Sequence, residues 1–312
     1  MNEVLENLLV VVGQVGVLFL LMSVGFVMAK LGRLTPQTLP QLSFLLMYIV
    51  TPCVIIHSLQ VEFDSGLLHD LLTGTGLVAV TYVVIWLGVL PFFRKQGQDS
   101  RETLRFAAIF GNTGFMGFPL ITAIFGAERL IFAMPVFVVF QVFTWSLGVY
   151  MMGGKKELSL KNILVSPAVV GIAVGLPLFL TGAALPAPLG DTVSFLADLN
   201  TPLAMLLIGA QMAAADLPAT FRSRSLYGCA AYKLLAAPAA TALLLLPFGL
   251  SPMLFACCVI LAGTPTAGVT AMFAERFNRG KETAAQAITL ATLLSILTLP
   301  LTAVAAQRIA GL

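Results

Sequence analysis

The sequence predicts an all-α polytopic membrane protein of ten transmembrane helices in two inverted five-helix repeats, with the fourth and ninth helices broken. Three observations carry this expectation. The chain is 59% hydrophobic and only 10% charged, more apolar surface than soluble domains of this length hide in their cores. The apolar runs are about 20 residues long, the length that crosses a bilayer as a helix, and do not alternate over segments of about 10. Two of the runs, with breaks starting 152 residues apart at Gly111 and Gly263, are interrupted by Gly, Thr and Pro or Asn.

The spans run approximately 8–29, 37–59, 69–92, 103–125, 129–151, 160–181, 190–213, 225–248, 252–274 and 283–306. The first follows Glu3 and Glu6, not a basic cluster, and is too long for the apolar stretch of a cleavable signal, so it reads as a span. The second holds Tyr48-Ile49-Val50-Thr51-Pro52 and the seventh Asp198-Leu199-Asn200-Thr201-Pro202, with Thr-Pro pairs 150 residues apart. The third and eighth close on Pro91-Phe92 and Pro247-Phe248. In the fourth, Gly111-Asn112-Thr113-Gly114-Phe115-Met116-Gly117-Phe118-Pro119 is too rich in Gly and Pro for an unbroken helix, and the ninth breaks at Gly263-Thr264-Pro265-Thr266-Ala267-Gly268. Connections are short, so residues 1–312 form a single membrane unit of two halves, 1–153 and 157–312. An odd number of spans per half gives the halves opposite orientations, a pattern of secondary transporters.

Basic residues orient the chain. With both termini outside, fourteen of the seventeen Lys and Arg lie on inner connections, from Lys30 and Arg33 through Lys155, Lys156 and Lys161 to Lys281. Arg129 and Arg308 lie outside and Lys233 lies within a span, which satisfies the positive-inside rule. The four cysteines, Cys53, Cys229, Cys257 and Cys258, fall in spans and read as small buried apolar residues.

A broken membrane helix survives only where its freed amides and carbonyls find partners, so the two breaks are the candidate site. If they meet, two half-helix N-termini and two C-termini converge, and the dipoles alone do not fix the sign of the cargo. Asn112 and Thr113, flanked by Gly111 and Gly114, are the first candidates for substrate contact, and Asn112 could equally cap the following half-helix. Thr264, Pro265 and Thr266 are their counterparts in the ninth span. Gln141, among Val and Phe in the fifth span, is a second amide donor or an interhelical hydrogen-bond partner. Lys233 sits about nine residues into the eighth span, roughly 13 Å from its inner end at about 1.5 Å per residue. An ammonium at that depth balances a carboxylate substrate, pairs with an acid, or snorkels to the headgroups. Asp198 is the candidate for proton or sodium coupling, and Glu275-Arg276 reads as a local ion pair at the inner surface. No Walker loop, metal-ligand spacing or Gly-x-Ser-x-Gly elbow occurs, so no enzyme, cofactor or nucleic-acid partner is expected, and the driving force is a gradient.

The Gly-Asn-Thr…Gly-x-Pro stretch at 111–119, with Thr264-Pro265-Thr266-Ala267, Ala274-Glu275-Arg276-Phe277, and Thr201-Pro202-Leu203-Ala204 before Ile208-Gly209-Ala210, resembles the auxin efflux carrier family over essentially the whole chain. The chain is similar to the short bacterial members, without the long central loop of many plant ones. The resemblance implies that helices four and nine cross. It implies a scaffold of helices 1, 2, 6 and 7 (about 8–59 and 160–213), a transport subdomain of helices 3–5 and 8–10 (about 69–151 and 225–306), and elevator-type movement. It implies a substrate at the crossover against Asn112 and a homodimer through the scaffold. Its substrates in plants are indole carboxylates, and in bacteria small organic acids. The expected function is therefore secondary transport of a small organic anion across the cell membrane. The alternatives are a sodium-coupled symporter of the bile acid carrier type, a sodium–proton antiporter, an intramembrane enzyme and a channel.

Overall fold

The computed structural model describes residues 2–159 and 166–312. The start of the expected sixth span, with Lys161, lies outside the described residues. Apart from the short 3-10 turn Lys155–Glu157, the helices among the described residues are α1 (Asn2–Lys30), α2 (Leu39–Ser58), α3 (Ser65–Val89), α4 (Gln98–Ile109), α5 (Thr113–Phe125), α6 (Ala127–Gly153), α7 (Pro167–Thr181), α8 (Ala187–Ala213), α9 (Leu217–Arg222), α10 (Arg224–Phe248), α11 (Pro252–Ala262), α12 (Val269–Arg276) and α13 (Lys281–Ala310). No strand occurs among the described residues, only one isolated antiparallel bridge between Gly111 and Thr266. Seven helices, α1, α2, α3, α6, α8, α10 and α13, are long and apolar enough to cross a membrane alone, while α5, α7 and α11 are apolar but shorter. The chain is thus an all-helical, polytopic membrane protein.

The burial pattern is that of a bundle in lipid. The helix α11 hides every side chain from Leu254 to Leu261 and is central. The helices α1, α3, α10 and α13 leave Leu20, Leu72, Leu243 and Leu297 exposed, an apolar exterior that suits hydrocarbon. Helix ends are closed locally. Asp64 accepts from the Leu67 amide at 2.6 Å to start α3. Arg105 reaches from α4 to the carbonyls of Leu90 and Phe92, just beyond the last turn of α3.

Lipid gives helices no hydrophobic reason to associate, so close approach depends on small residues. The contact between α1 and α8 is built this way. A Cβ at Gly25 would fall on the backbone of Leu206, and one at Gly209 on the backbone of Met22. Reciprocal glycines allow the two backbones to touch. Gly209→Leu is expected to force α1 and α8 apart at a cost of about 1–3 kcal/mol, read as a lowered unfolding midpoint in detergent. An unchanged midpoint would show that the contact is dispensable.

Candidate functional site

The expected fourth span is α4 followed by α5, and the expected ninth is α11 followed by α12. Phe110, Gly111 and Asn112 follow the first half of one and Gly263, Thr264 and Pro265 that of the other, and the loose ends of one break satisfy those of the other. The Asn112 amide donates to the Pro265 carbonyl at 2.7 Å, and the Ala267 amide donates to the Phe110 carbonyl at 2.9 Å. The Thr266 hydroxyl donates to the Ala107 carbonyl at 3.0 Å. The joint is tight enough to require glycine. A Cβ at Gly111 would lie 2.6 Å from Thr264 Oγ1 and 2.8 Å from Lys233 Nζ.

On one face of this joint lies an open recess, about 480 Å³ when the space out to its mouth is included. Its walls are Met47 and Thr51 of α2, Asn112, Gly114 and Phe115 at the first break, Phe137, Phe140, Gln141 and Trp145 of α6, and Ala267 to Val269 at the second break. Asn112 is 5% exposed and Gln141 8%. Neither side-chain amide hydrogen-bonds a described residue. The backbone carbonyl of Asn112, not its side chain, closes the start of α5 by accepting from Met116 and Gly117 at 3.2 and 3.0 Å. So capping does not occupy the Asn112 amide, and no interhelical partner occupies that of Gln141.

The other expected residues divide around the joint. Gly114 lines the recess, and its carbonyl accepts from Asn200 Nδ2 of α8 at 3.3 Å. Gly111, Thr113, Thr264, Pro265 and Thr266 build the joint itself and do not line the recess. The Thr113 hydroxyl is buried with no partner, and that of Thr264 donates to Leu261 at 2.7 Å. Lys233 lies behind the joint, 2% exposed, with Nζ donating to the Ala262 carbonyl at 2.6 Å. Its head neither snorkels to a surface nor meets an acid among the described residues. Asp198 is exposed near the middle of α8, outside the recess. Glu275 pairs with Lys281 at 2.9 Å and not with Arg276, which corrects the expected local pair. The Arg276 guanidinium instead stands 5.9 Å from the Trp145 ring and 5.3 Å from that of Phe277, a cation over aromatic faces.

Several wall residues had no sequence signal. Four helices widen into a single π turn, at Leu46–Val50, Thr113–Gly117, Thr144–Gly148 and Tyr232–Ala236, a feature that gathers at functional sites. Three of these turns border the recess and the fourth carries Lys233. At the first, the Thr51 hydroxyl reaches back five residues to the Leu46 carbonyl at 2.8 Å, so the Thr-Pro pair noted as a repeat mark also shapes a wall. A second, smaller recess shares Met47, Phe115, Gly268 and Val269 with the first and continues to Ser43, Gln211 and Met272. The Gln211 Oε1 is buried there without a partner.

A buried recess with two uncommitted amides, beside two joined helix breaks in a polytopic helical protein, fits the class of membrane transport proteins. The sequence matches the profile of a family described as membrane transport protein over residues 10–162 and 156–303. It is also similar to an uncharacterized transporter of Methanothermobacter thermautotrophicus, 25% identical over 292 residues that cover 90% of this chain and 93% of the relative. The chain belongs to this auxin efflux carrier-like membrane transport family. It is a multi-pass transport protein and not an enzyme.

The joint makes unequal demands on its two hydroxyls. Thr266→Val strips the Ala107 carbonyl of a donor from the opposite break and is expected to cost about 1–3 kcal/mol. Thr264→Val removes a hydroxyl that serves only its own turn and is expected to cost less. Parallel thermal unfolding of the two variants checks this, and the reverse order would remove Thr266 from the joint's support.

Proposed function

We propose that this protein is a secondary transporter of a small organic anion, a carboxylate, that binds in the recess against Asn112 and Gln141 and crosses by alternating access. The observation that carries the proposal is that Asn112 and Gln141, 5% and 8% exposed, both line one recess with side-chain amides that hydrogen-bond no described residue. Two uncommitted amides that open into a mostly apolar recess give a polar guest its few oriented hydrogen bonds.

The helix ends that are already answered support a negative charge on the guest. Carbonyls at the ends of α4 and α11 have protein donors: Ala107 has the Thr266 hydroxyl, Phe110 the Ala267 amide and Ala262 the Lys233 ammonium. The N-terminal ends of α5 and α12, at Gly114 and Phe115 and at Gly268 and Val269, front the recess. The first amides of a helix have no carbonyl within it, and the dipole there favours negative charge. This asymmetry supports an anion over a cation. The antiporter reading needs acids at the site, and no carboxylate is among the recess-lining residues.

The architecture proposed around the site is two inverted five-span repeats with α4–α5 crossing α11–α12. Thr113 and the residues Gly111, Thr264, Pro265 and Thr266 position the binding walls. The scaffold, formed by spans 1, 2, 6 and 7, holds still against the membrane and joins two protomers, and the remaining spans move as an elevator. The protein lies in the cell membrane with both termini outside. In that orientation the smaller recess, toward Ser43, Gln211 and Met272, leads to the inner side, which supports an inward-open state. Asp198 remains the residue proposed for any proton coupling, acting from outside the recess.

Proteoliposome uptake of mono- and dicarboxylates tests the proposal, preceded by a thermal-shift screen for those that bind. Asn112→Ala and Gln141→Leu are each expected to weaken binding about 10- to 100-fold, the loss of one hydrogen bond to a charged group, with the unfolding midpoint little changed. Normal uptake by both variants would sink the assignment. Trp86 and Trp145 are the two tryptophans, and only Trp145 lines the recess. Trp86→Phe protein should therefore report carboxylate binding as a change in Trp145 emission, and a silent Trp145 beside measurable binding would place the guest elsewhere.

A further inference from the structure

The face of the joint opposite the recess holds a group that anion binding does not use. Lys233 is buried as deeply as the core phenylalanines, on the π turn Tyr232–Ala236 that aims it inward from α10. Its Nζ meets the Ala262 carbonyl, the last residue of α11, at 2.6 Å. It presses on Gly111, where a Cβ would stand 2.7 Å from Lys233 Cε, and that same missing Cβ would stand 2.6 Å from Thr264 Oγ1. The small cavity around it is bounded by Thr81, Tyr82, Thr241 and Cys258 and contains no carboxylate. Cys229, one turn earlier on α10, points its thiol at the Leu104 carbonyl.

An ammonium in the middle of a membrane protein is costly without a partner of opposite charge. Its partner here is the negative end of a half-helix, worth roughly half an elementary charge. In transporters with broken helices, that end and the unwound carbonyls beside it are where a coupling sodium ion binds. We propose that the Lys233 ammonium is a resident cation that fills the carbonyl end of α11 in place of a coupling ion, so that the transport cycle runs without sodium. The side chain is covalently held, so the group that takes the ion's place is not loaded and released at each turn. The mechanistic consequence rests on the transporter reading given above, but the test does not require a known substrate.

The full-length protein in detergent provides the test. Lys233→Ala is expected to lower the unfolding midpoint, and millimolar n-propylammonium, the fragment removed by the substitution, is expected to restore at least half of the loss. The neutral isostere 1-propanol should restore none, and the wild type should respond to neither. Failure of n-propylammonium to act, or equal rescue by 1-propanol, overturns the resident-cation role. If Lys233→Ala does not fold, the wild type decides. A midpoint or anion uptake indifferent to replacing sodium with choline supports the proposal, and a rise specific to sodium overturns it. Because the midpoints are read without substrate, a failure of carboxylate uptake would count against the proposed cargo and leave this result standing.

Discussion

The backbone joint between residues 110–112 and 265–267 is the constraint from which the rest of the interior follows. A helix interrupted in hydrocarbon exposes amides and carbonyls that no solvent can satisfy, each at a cost of several kcal/mol. Here the Asn112 and Ala267 amides cross to the other break, and the Thr266 hydroxyl makes a third tie. Neither break is viable alone. The two halves of the chain are thereby bound at their most fragile point, and the joint accounts for the glycine at 111, the only residue whose side chain leaves room for Lys233 and Thr264.

The joint also sorts the electrostatics of the interior. Donors from the protein converge on the carbonyl ends of α4 and α11, so the negative poles of the broken helices are quenched internally. The positive poles are turned to the opposite face, where aromatic rings, two amides and few other polar groups surround them. A recess of this kind has a sign without containing a charged side chain. The anion proposed for the recess would be held there by oriented dipoles, and no charged side chain of the recess would be stranded when it leaves.

Much of this was readable in the amino acids, and the limits have physical causes. The long apolar helices were legible because hydropathy over about 20 residues is insensitive to detail. The breaks were legible because Gly111, Gly114, Pro265 and Gly268 forbid a regular helix whatever surrounds them. Asn112 and Gln141 stood out as amides at membrane depth. What was not legible was the direction of side chains near a break, since the 3.6-residue period that assigns helix faces fails where the helix widens or stops. Lys233 stood out as an ammonium within a span, but only the π turn that carries it determines that it faces the back of the joint. The tie from Asn200 to the Gly114 carbonyl and the stacking of Arg276 on Trp145 are contacts between distant segments, which no local pattern records.

The π turns at Leu46–Val50, Thr113–Gly117, Thr144–Gly148 and Tyr232–Ala236 each hold one residue more than an α-helix would use for the same rise. Losing a residue elsewhere in a membrane helix turns everything beyond it by about 100° and scrambles which faces meet lipid. At these four places the deletion would simply tighten the turn to an α-helix and leave both flanks in register. Indels, ordinarily confined to loops, thus have a route into the interior of this fold, and the shape of the recess can be revised in evolution by whole-residue steps while the surrounding bundle stays the same.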